Sequence, residues 1–280
     1  MMSGLHPTRK LLISTDLDGC LLDHHDYGFA PAAALLQKLE DLGIPVIPNS
    51  SKTLAELLHF RETLNNSHPF IIENGAAVYI PTGYFADKPE DCENIGDFWI
   101  KTFSQPRRHW LKLISQSRIG KEKFQTFADA ALADIVKLTG LQPDAAARAS
   151  QRQYGEPVAW LGTTAEKAEF IQELRQLGAH ILEGGRFLHV SGECDKGTAM
   201  KWLVAQYLQA CGAPITTIAA GDSQNDIAML ESADIAVRVP SPTHALPALE
   251  KARQVYTAAR QGPSGWSESI SAILANLNIK

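Results

Sequence analysis

Cysteine is sparse. The chain has four, Cys20, Cys92, Cys194 and Cys211, and no two stand as Cys-x-x-Cys. Neither a disulfide framework nor a zinc site is suggested, so the expected setting is a reducing cytoplasm. A basic excess is also lacking. The formal net charge is −5, which argues against the electrostatic footprint that nucleic acid requires. No apolar run approaches a membrane span, and the opening MMSGLHPTRK has no apolar stretch of signal-peptide length, so no membrane partner is expected. Internal repeats, low-complexity segments and flexible linkers are missing too. What is present is 280 residues, 45% hydrophobic and 20% charged. That suffices for a well-cored domain with a second, smaller one attached.

The stretch around which the rest is arranged is Lys10–Leu22, KLLISTDLDGCLL. Leu11, Leu12 and Ile13 give one short buried strand. It stops at two carboxylates, Asp16 and Asp18, followed by Gly19. Ligands of parallel sheets bind beyond the carboxyl ends of the strands. Alternation along an extended backbone sends Asp16 and Asp18 the same way, so the two can share a cation or a substrate. Asp-x-Asp-Gly alone also describes a turn or a fragment of a calcium loop. The calcium loop is disfavoured, because Leu21 and Leu22 follow at once and Tyr27 stands where that loop carries its Glu.

Downstream, Ala30–Leu42 reads as an amphipathic helix with Leu35, Leu36, Leu39 and Leu42 on one face. Ile44–Ile47 is a second strand, moved toward a strand start or a sheet edge by Pro45 and Pro48. It ends in Asn49–Ser50–Ser51–Lys52, and helix resumes over Thr53–Leu64. Hydroxyls and free N–H groups between a strand and a helix make an anion site, although Ser is also a common helix cap. Phe70–Ile72 is a third strand, ending in Glu73–Asn74–Gly75. This strand–helix alternation opens a parallel sheet. From Phe85 to about Ser191 the pattern becomes α+β. It includes a hairpin turn at Glu183–Gly184–Gly185–Arg186 between His180–Leu182 and Phe187–Val190. The earlier pattern then returns: Lys196–Gln209 as helix, Ile215–Ala220 as strand, Asn225–Glu231 as helix and Ile235–Val239 as strand.

The fold expected is therefore α/β, a doubly wound parallel-sheet (Rossmann-like) core interrupted by an inserted α+β cap domain. The core spans 1–84 and 191–280 and the cap 85–190. Ile215–Ala220 carries a second acid cluster at its carboxyl end, Gly221–Asp222–Ser223–Gln224–Asn225–Asp226. Asp222 can complete a metal site with Asp16 and Asp18, and Asn225 and Asp226 can orient it. Between the clusters Asp195 caps a helix that opens with Lys196. A cation is disfavoured at a helix start, which makes a role against an anion more credible.

Strand–DxDG, strand–Ser, Lys and strand–GDxxND, in that order, resemble the four motifs of haloacid dehalogenase-like phosphotransferases, and the insertion resembles their Cof-type cap. STDLDGCLLDHHDY, PNSSKTLAE, IIENGAAVYIP, EGGRFLHVSG, DKGTA, GDSQND and GPSGW resemble the mannosyl-3-phosphoglycerate phosphatase family more closely. The resemblance implies a cytoplasmic, Mg2+-dependent phosphatase acting on a small phosphorylated sugar. Its catalytic residues would be Asp16 as nucleophile, Asp18 as acid and base, and Ser50 and Lys196 on the phosphoryl oxygens. Asp16, Asp18 and Asp222 would hold the metal. Ser51, Lys52, Glu73, Asn74 and Arg186 would bind substrate, with Glu156 a further candidate for sugar hydroxyls. The family's usual Thr after DxDG is Cys20 here, which has only a weak S–H donor. Another sugar phosphate, a phosphomutase reaction and a catalytically inactive binding module are the competing readings. The sugar and the oligomeric state are left open.

Overall fold

Lys10–Thr15 is a strand, buried from Leu11 onward. The computed structural model describes residues 10–184 and 187–279. The strand lies between Ile215–Gly221 and Val46–Pro48, parallel to both. Ile235–Arg238 and then Val255–Thr257 extend the sheet on the Ile215–Gly221 side, again in parallel. Every carboxyl end therefore opens on the same edge. Strand order reverses at Lys10–Thr15, since the chain first builds toward Val46–Pro48 and later builds away on the other side. Ligands bind outside the strand ends at such a reversal. Val46–Pro48 is the last strand of its five-stranded sheet, as its prolines require.

One expected strand is placed differently. Phe70–Ile72 does not join the parallel ladder, which touches it through an isolated bridge between Asn49 and Ile71. It pairs antiparallel with Ala77–Pro81 in a four-stranded sheet that also holds Phe98–Thr102 and Glu93–Ile95. The reason is local. Glu73, Asn74 and Gly75 all take left-handed backbone, with φ of 46°, 61° and 92°, and the chain doubles back at once instead of crossing over. The first helix also differs, running Ala30–Asp41 with Ala32, Leu35 and Leu39 buried. Leu42 falls beyond its end and is exposed.

Two compact units divide the chain: Met1–Ser50, Leu64–Lys101 and Asp195–Lys280 form the first, Ser51–Thr63 and Thr102–Cys194 the second. The sequence reading drew the insertion as 85–190. The second unit has a four-stranded antiparallel sheet ordered Phe124–Thr126, Glu156–Trp160, Phe187–Ser191, His180–Gly184. Leu188, Val190 and Val158 on one face of that sheet pack with Trp110 of the helix Arg107–Ile114 and with Phe170 and Leu174 of the helix Thr164–Gln176. The helix Leu54–Thr63 belongs to this unit, where the Thr53 hydroxyl donates to the Arg148 carbonyl at 2.9 Å. No helix among the described residues is long and apolar enough to cross a membrane.

Candidate active site

Asp16 stands where the opening strand ends. Its N–H still belongs to the ladder, donating to the Ala220 carbonyl at 2.8 Å. Its carbonyl accepts from the Thr15 hydroxyl at 2.8 Å. Lys196 opens the helix Lys196–Cys211, which Asp195 caps by accepting from the Thr198 N–H at 2.7 Å. The Asn49 amide donates to the Lys196 carbonyl at 3.0 Å, tying that helix start to the end of Val46–Pro48. Lys196 is wholly buried. Its Nζ donates to Asp16 Oδ1 at 2.5 Å and to Asp226 Oδ1 at 2.6 Å.

The second acid cluster is built around Asp226. Its Oδ2 accepts from the N–H groups of Asp222 and Ser223, both at 3.0 Å. Both Asp226 oxygens are thus engaged, and they shape the loop that presents Asp222. His244 comes in from the loop after Ile235–Arg238, with Nε2 3.3 Å from Asp222 Oδ2. Asp18 is half-buried in the turn bridged from Asp18 to Leu22, and its charge acts on both Asp16 and Asp222.

Charge crowding sets the proton affinities. Burial pushes Asp16 well above the usual carboxylate range, with Lys196 opposing and Asp226, Asp222 and Asp18 adding to the rise. Burial, and then Asp226, lift Asp222 to about 6. For Lys196 burial disfavours the ammonium, but Asp16 and Asp226 outweigh it and hold the group above its ordinary range. One ammonium therefore faces a surplus of buried carboxylate.

That surplus fits a divalent cation. Ligand oxygens of Asp16, Asp222 and Asp226 lie within 4.8 Å of one another, all in buried side chains. Carboxylates are hard donors suited to Mg2+ or Ca2+. The space beside Asp222 is kept open by Gly19, where a Cβ would lie 2.8 Å from Asp222 Oδ2. Because Asp226 is committed to Lys196 and two N–H groups, Asp16 and Asp222 are the side chains with capacity to spare.

Comparison with known proteins places this geometry. Residues 13–104 match the family described as haloacid dehalogenase-like hydrolase, and residues 102–272 the family described as Sucrose-6F-phosphate phosphohydrolase. A glucosyl-3-phosphoglycerate/mannosyl-3-phosphoglycerate phosphatase of Methanococcoides burtonii is 33% identical over 270 residues, covering 96% of this chain and 99% of that one. The chain belongs to that phosphatase family, within the haloacid dehalogenase-like hydrolases. It is a phosphoric monoester hydrolase. Two solved structures share the fold of the phosphatase. The sucrose-phosphatase of Synechocystis sp. PCC6803, in complex with sucrose and phosphate, has a TM-score of 0.58 at 17% identity over 96% of this chain and 98% of that one. A sugar phosphatase of haloacid dehalogenase subclass IIB has a TM-score of 0.61 at 15% identity over 97% and 100%.

Within the first unit the phosphatase brings together Asp16, Lys196, Asp222 and Asp226. The motif order singled out Asp16, Asp18, Ser50, Lys196 and Asp222, with Asp226 only as a residue that orients them. Ser50 is buried beyond Val46–Pro48, its N–H donating to the Ile71 carbonyl at 3.1 Å and its carbonyl accepting from the Asn74 N–H at 3.0 Å. The Asn74 side chain accepts from the Asn225 amide at 2.9 Å, so the turn after Phe70–Ile72 is fastened to the second acid loop. Glu73 is buried beside it. Ser51 and Lys52 fall in the second unit. There the Lys52 ammonium is 3.9 Å from Glu56 and 4.9 Å from the Phe60 ring centroid. Arg186 lies outside the described residues. Glu156 is corrected to a structural role: it is buried, ion-paired with Arg107, and accepts from the Ala128 N–H at 2.9 Å. Sequence reasoning missed His244 and gave no role of their own to Asn49 and Trp266. Asn49 and Trp266 left traces inside PNSSKTLAE and GPSGW; His244 has no local signature.

Proposed function

We propose that the enzyme removes the phosphate of a glycosyl-3-phosphoglycerate, with Mg2+ as cofactor, giving a glycosylglycerate and inorganic phosphate. Mannosyl-3-phosphoglycerate, yielding mannosylglycerate, is the first choice. The observation that carries the chemistry is the fully buried Lys196 bridging Asp16 and Asp226 with Asp222 alongside. The substrate class is supported by the relative that shares 33% identity over nearly the whole chain. The match of residues 102–272 to a sucrose-phosphate family favours, as a second reading, another disaccharide phosphate.

The residues divide the work as follows. An Asp16 carboxylate oxygen attacks phosphorus, and the bond from phosphorus to the ester oxygen breaks, leaving an aspartyl-phosphate. Asp18 gives its proton to the departing alkoxide. It then takes a proton from water as that water attacks the same phosphorus, which frees phosphate and restores Asp16. Lys196 opposes the burial that favours the proton on Asp16 and faces the phosphoryl oxygens, and Ser50 holds another of them. Asp16, Asp222 and the Asp18 carbonyl would hold Mg2+, which when bound offsets the charge between a phosphate dianion and these carboxylates. The segment 85–190 is assigned as the cap that selects the leaving group. Ser51, Lys52, Glu73, Asn74 and Arg186 are the residues assigned to recognise the substrate.

The test is phosphate release with Mg2+ from mannosyl- and glucosyl-3-phosphoglycerate, sucrose 6-phosphate and simple hexose phosphates, without a bisphosphate activator. A kcat/KM at least tenfold higher for the two phosphoglycerates supports the assignment. A preference for sucrose 6-phosphate replaces it with the second reading. Dependence on a bisphosphate turns the reaction into a mutase.

A further inference from the structure

The GPSGW stretch plays no part in the chemistry above, yet its tryptophan reaches the strand that carries Asp16. Pro263 stands in the first turn of the helix Gly262–Asn276. At Gly265 a Cβ would lie 1.9 Å from the Arg260 carbonyl oxygen. Only glycine therefore lets the helix start press against the preceding loop, and this seats Trp266 with no solvent exposure.

The indole Nε1–H donates to the Thr15 hydroxyl oxygen at 3.0 Å. The Thr15 hydroxyl donates in turn to the Asp16 carbonyl at 2.8 Å. Cys20 Sγ lies 3.7 Å from the same hydroxyl oxygen. A hydroxyl has one proton and two lone pairs. With its proton committed to Asp16, Thr15 accepts the indole N–H on one lone pair and, at most, a weak S–H on the other. The chain is directional, from indole to hydroxyl to carbonyl, and all of its members are buried. Packing alone does not explain it. A phenyl ring would be smaller, would bring no N–H, and would leave the hydroxyl free to turn away from Asp16.

We infer that Trp266 is a positioning residue: through Thr15 it fixes the peptide plane after Asp16 and hence the line along which the Asp16 carboxylate meets phosphorus. This rests on the reading of Asp16 as the nucleophile. A small misplacement of an attacking atom lowers the rate of the covalent step more than it weakens ground-state binding. The indole donates to the Thr15 hydroxyl and not to a carboxylate, so its loss removes no group assigned to the metal or the substrate.

The experiment uses the full chain with Mg2+ and para-nitrophenyl phosphate. It follows turnover and, by rapid quench, the single-turnover labelling of Asp16. Trp266→Phe should lower kcat and the labelling rate about tenfold with KM nearly unchanged, the size expected from losing one buried hydrogen bond. Thr15→Val should do the same, Thr15→Ser should restore most of the rate, and the Trp266→Phe/Thr15→Val pair should be no slower than Thr15→Val alone. Wild-type kcat in Trp266→Phe overturns the inference. So do losses that multiply in the double variant, or a Thr15→Ser as slow as Thr15→Val. If Trp266→Phe does not fold, the Val and Ser variants at Thr15 still decide, since both leave the indole in place. Asp16→Asn separates the two readings: an active Asp16→Asn removes the nucleophile assignment itself. An inactive Asp16→Asn beside an unaffected Trp266→Phe removes only the positioning role.

Discussion

Lys196→Met is the most exposing perturbation of this site. The side chain is wholly buried and its ammonium holds Asp16 and Asp226 at 2.5 and 2.6 Å. Methionine keeps the length and loses the charge. Asp16, Asp222 and Asp226, with oxygens within 4.8 Å of one another, would then repel without the ammonium that Asp16 and Asp226 share. At an effective dielectric near 20, two such charges cost about 3.5 kcal/mol per pair. Removing one partner of a buried pair typically costs about 3–5 kcal/mol. The carboxylates have an escape, because Asp16 already favours its proton through burial. The cost should therefore be near 3–5 kcal/mol at pH 8 and clearly smaller at pH 5, where a proton replaces the ammonium. In the parent protein the Lys196 contribution is flat over this window. Its folded pKa is raised, so its stabilisation is complete below the ordinary 10.5 and is lost only in stronger alkali. Thermal unfolding in chelator at both pH values is the assay, with a drop on the order of 10 °C expected at pH 8. Turnover should be lost at both. An equal drop at pH 5 and pH 8, or a loss under about 1 kcal/mol at pH 8, would refute the charge argument.

Two further outcomes follow from the same geometry, and a third from the sequence. Excess chelator should abolish activity and Mg2+ should restore it, while Asp222→Ala should raise the Mg2+ concentration for half-activity at least tenfold; full activity in chelator removes the metal. Asp222 sits at about 6 in the folded protein against an ordinary 3.8. The folded state thus holds this proton more tightly, and the metal-free protein should lose up to about 3 kcal/mol as pH rises from roughly 4 to 6, then level off. Urea midpoints across that range check the sign, and Asp222→Asn should flatten part of the slope. Arg186→Ala should lower kcat/KM for a glycosyl-phosphoglycerate by about tenfold or more, the loss of one charge-assisted contact, and leave an aryl phosphate nearly unchanged. Equal losses on both substrates would deny it a role in specificity.

The sequence by itself determined the chemistry-bearing ends of the strands. An apolar run closed by Asp16 and Asp18, and another closed by Asp222 and Asp226, could be read because a buried strand announces itself in a few consecutive residues. The Lys196 helix start was legible for the same reason, as cap and dipole are local. The prolines around Val46–Pro48 likewise pointed to a strand start or an edge, and the sheet order made it an edge. Partners distant in sequence were not legible. That Asp226 spends both oxygens on Lys196 and on its own loop, that Asn74 fastens to Asn225, and that Glu156 is consumed by Arg107 all depend on which surfaces meet. Phe70–Ile72 read as one more parallel strand because its three apolar residues cannot encode a partner, and the left-handed turn after it chose a hairpin. Val255–Thr257, largely exposed at the sheet edge, had no apolar run to reveal it. Trp266 lies 251 residues from Thr15. Nothing in GPSGW says where an indole will point, and only the packed core, which must satisfy a buried N–H, decided that it would hold the residue next to Asp16.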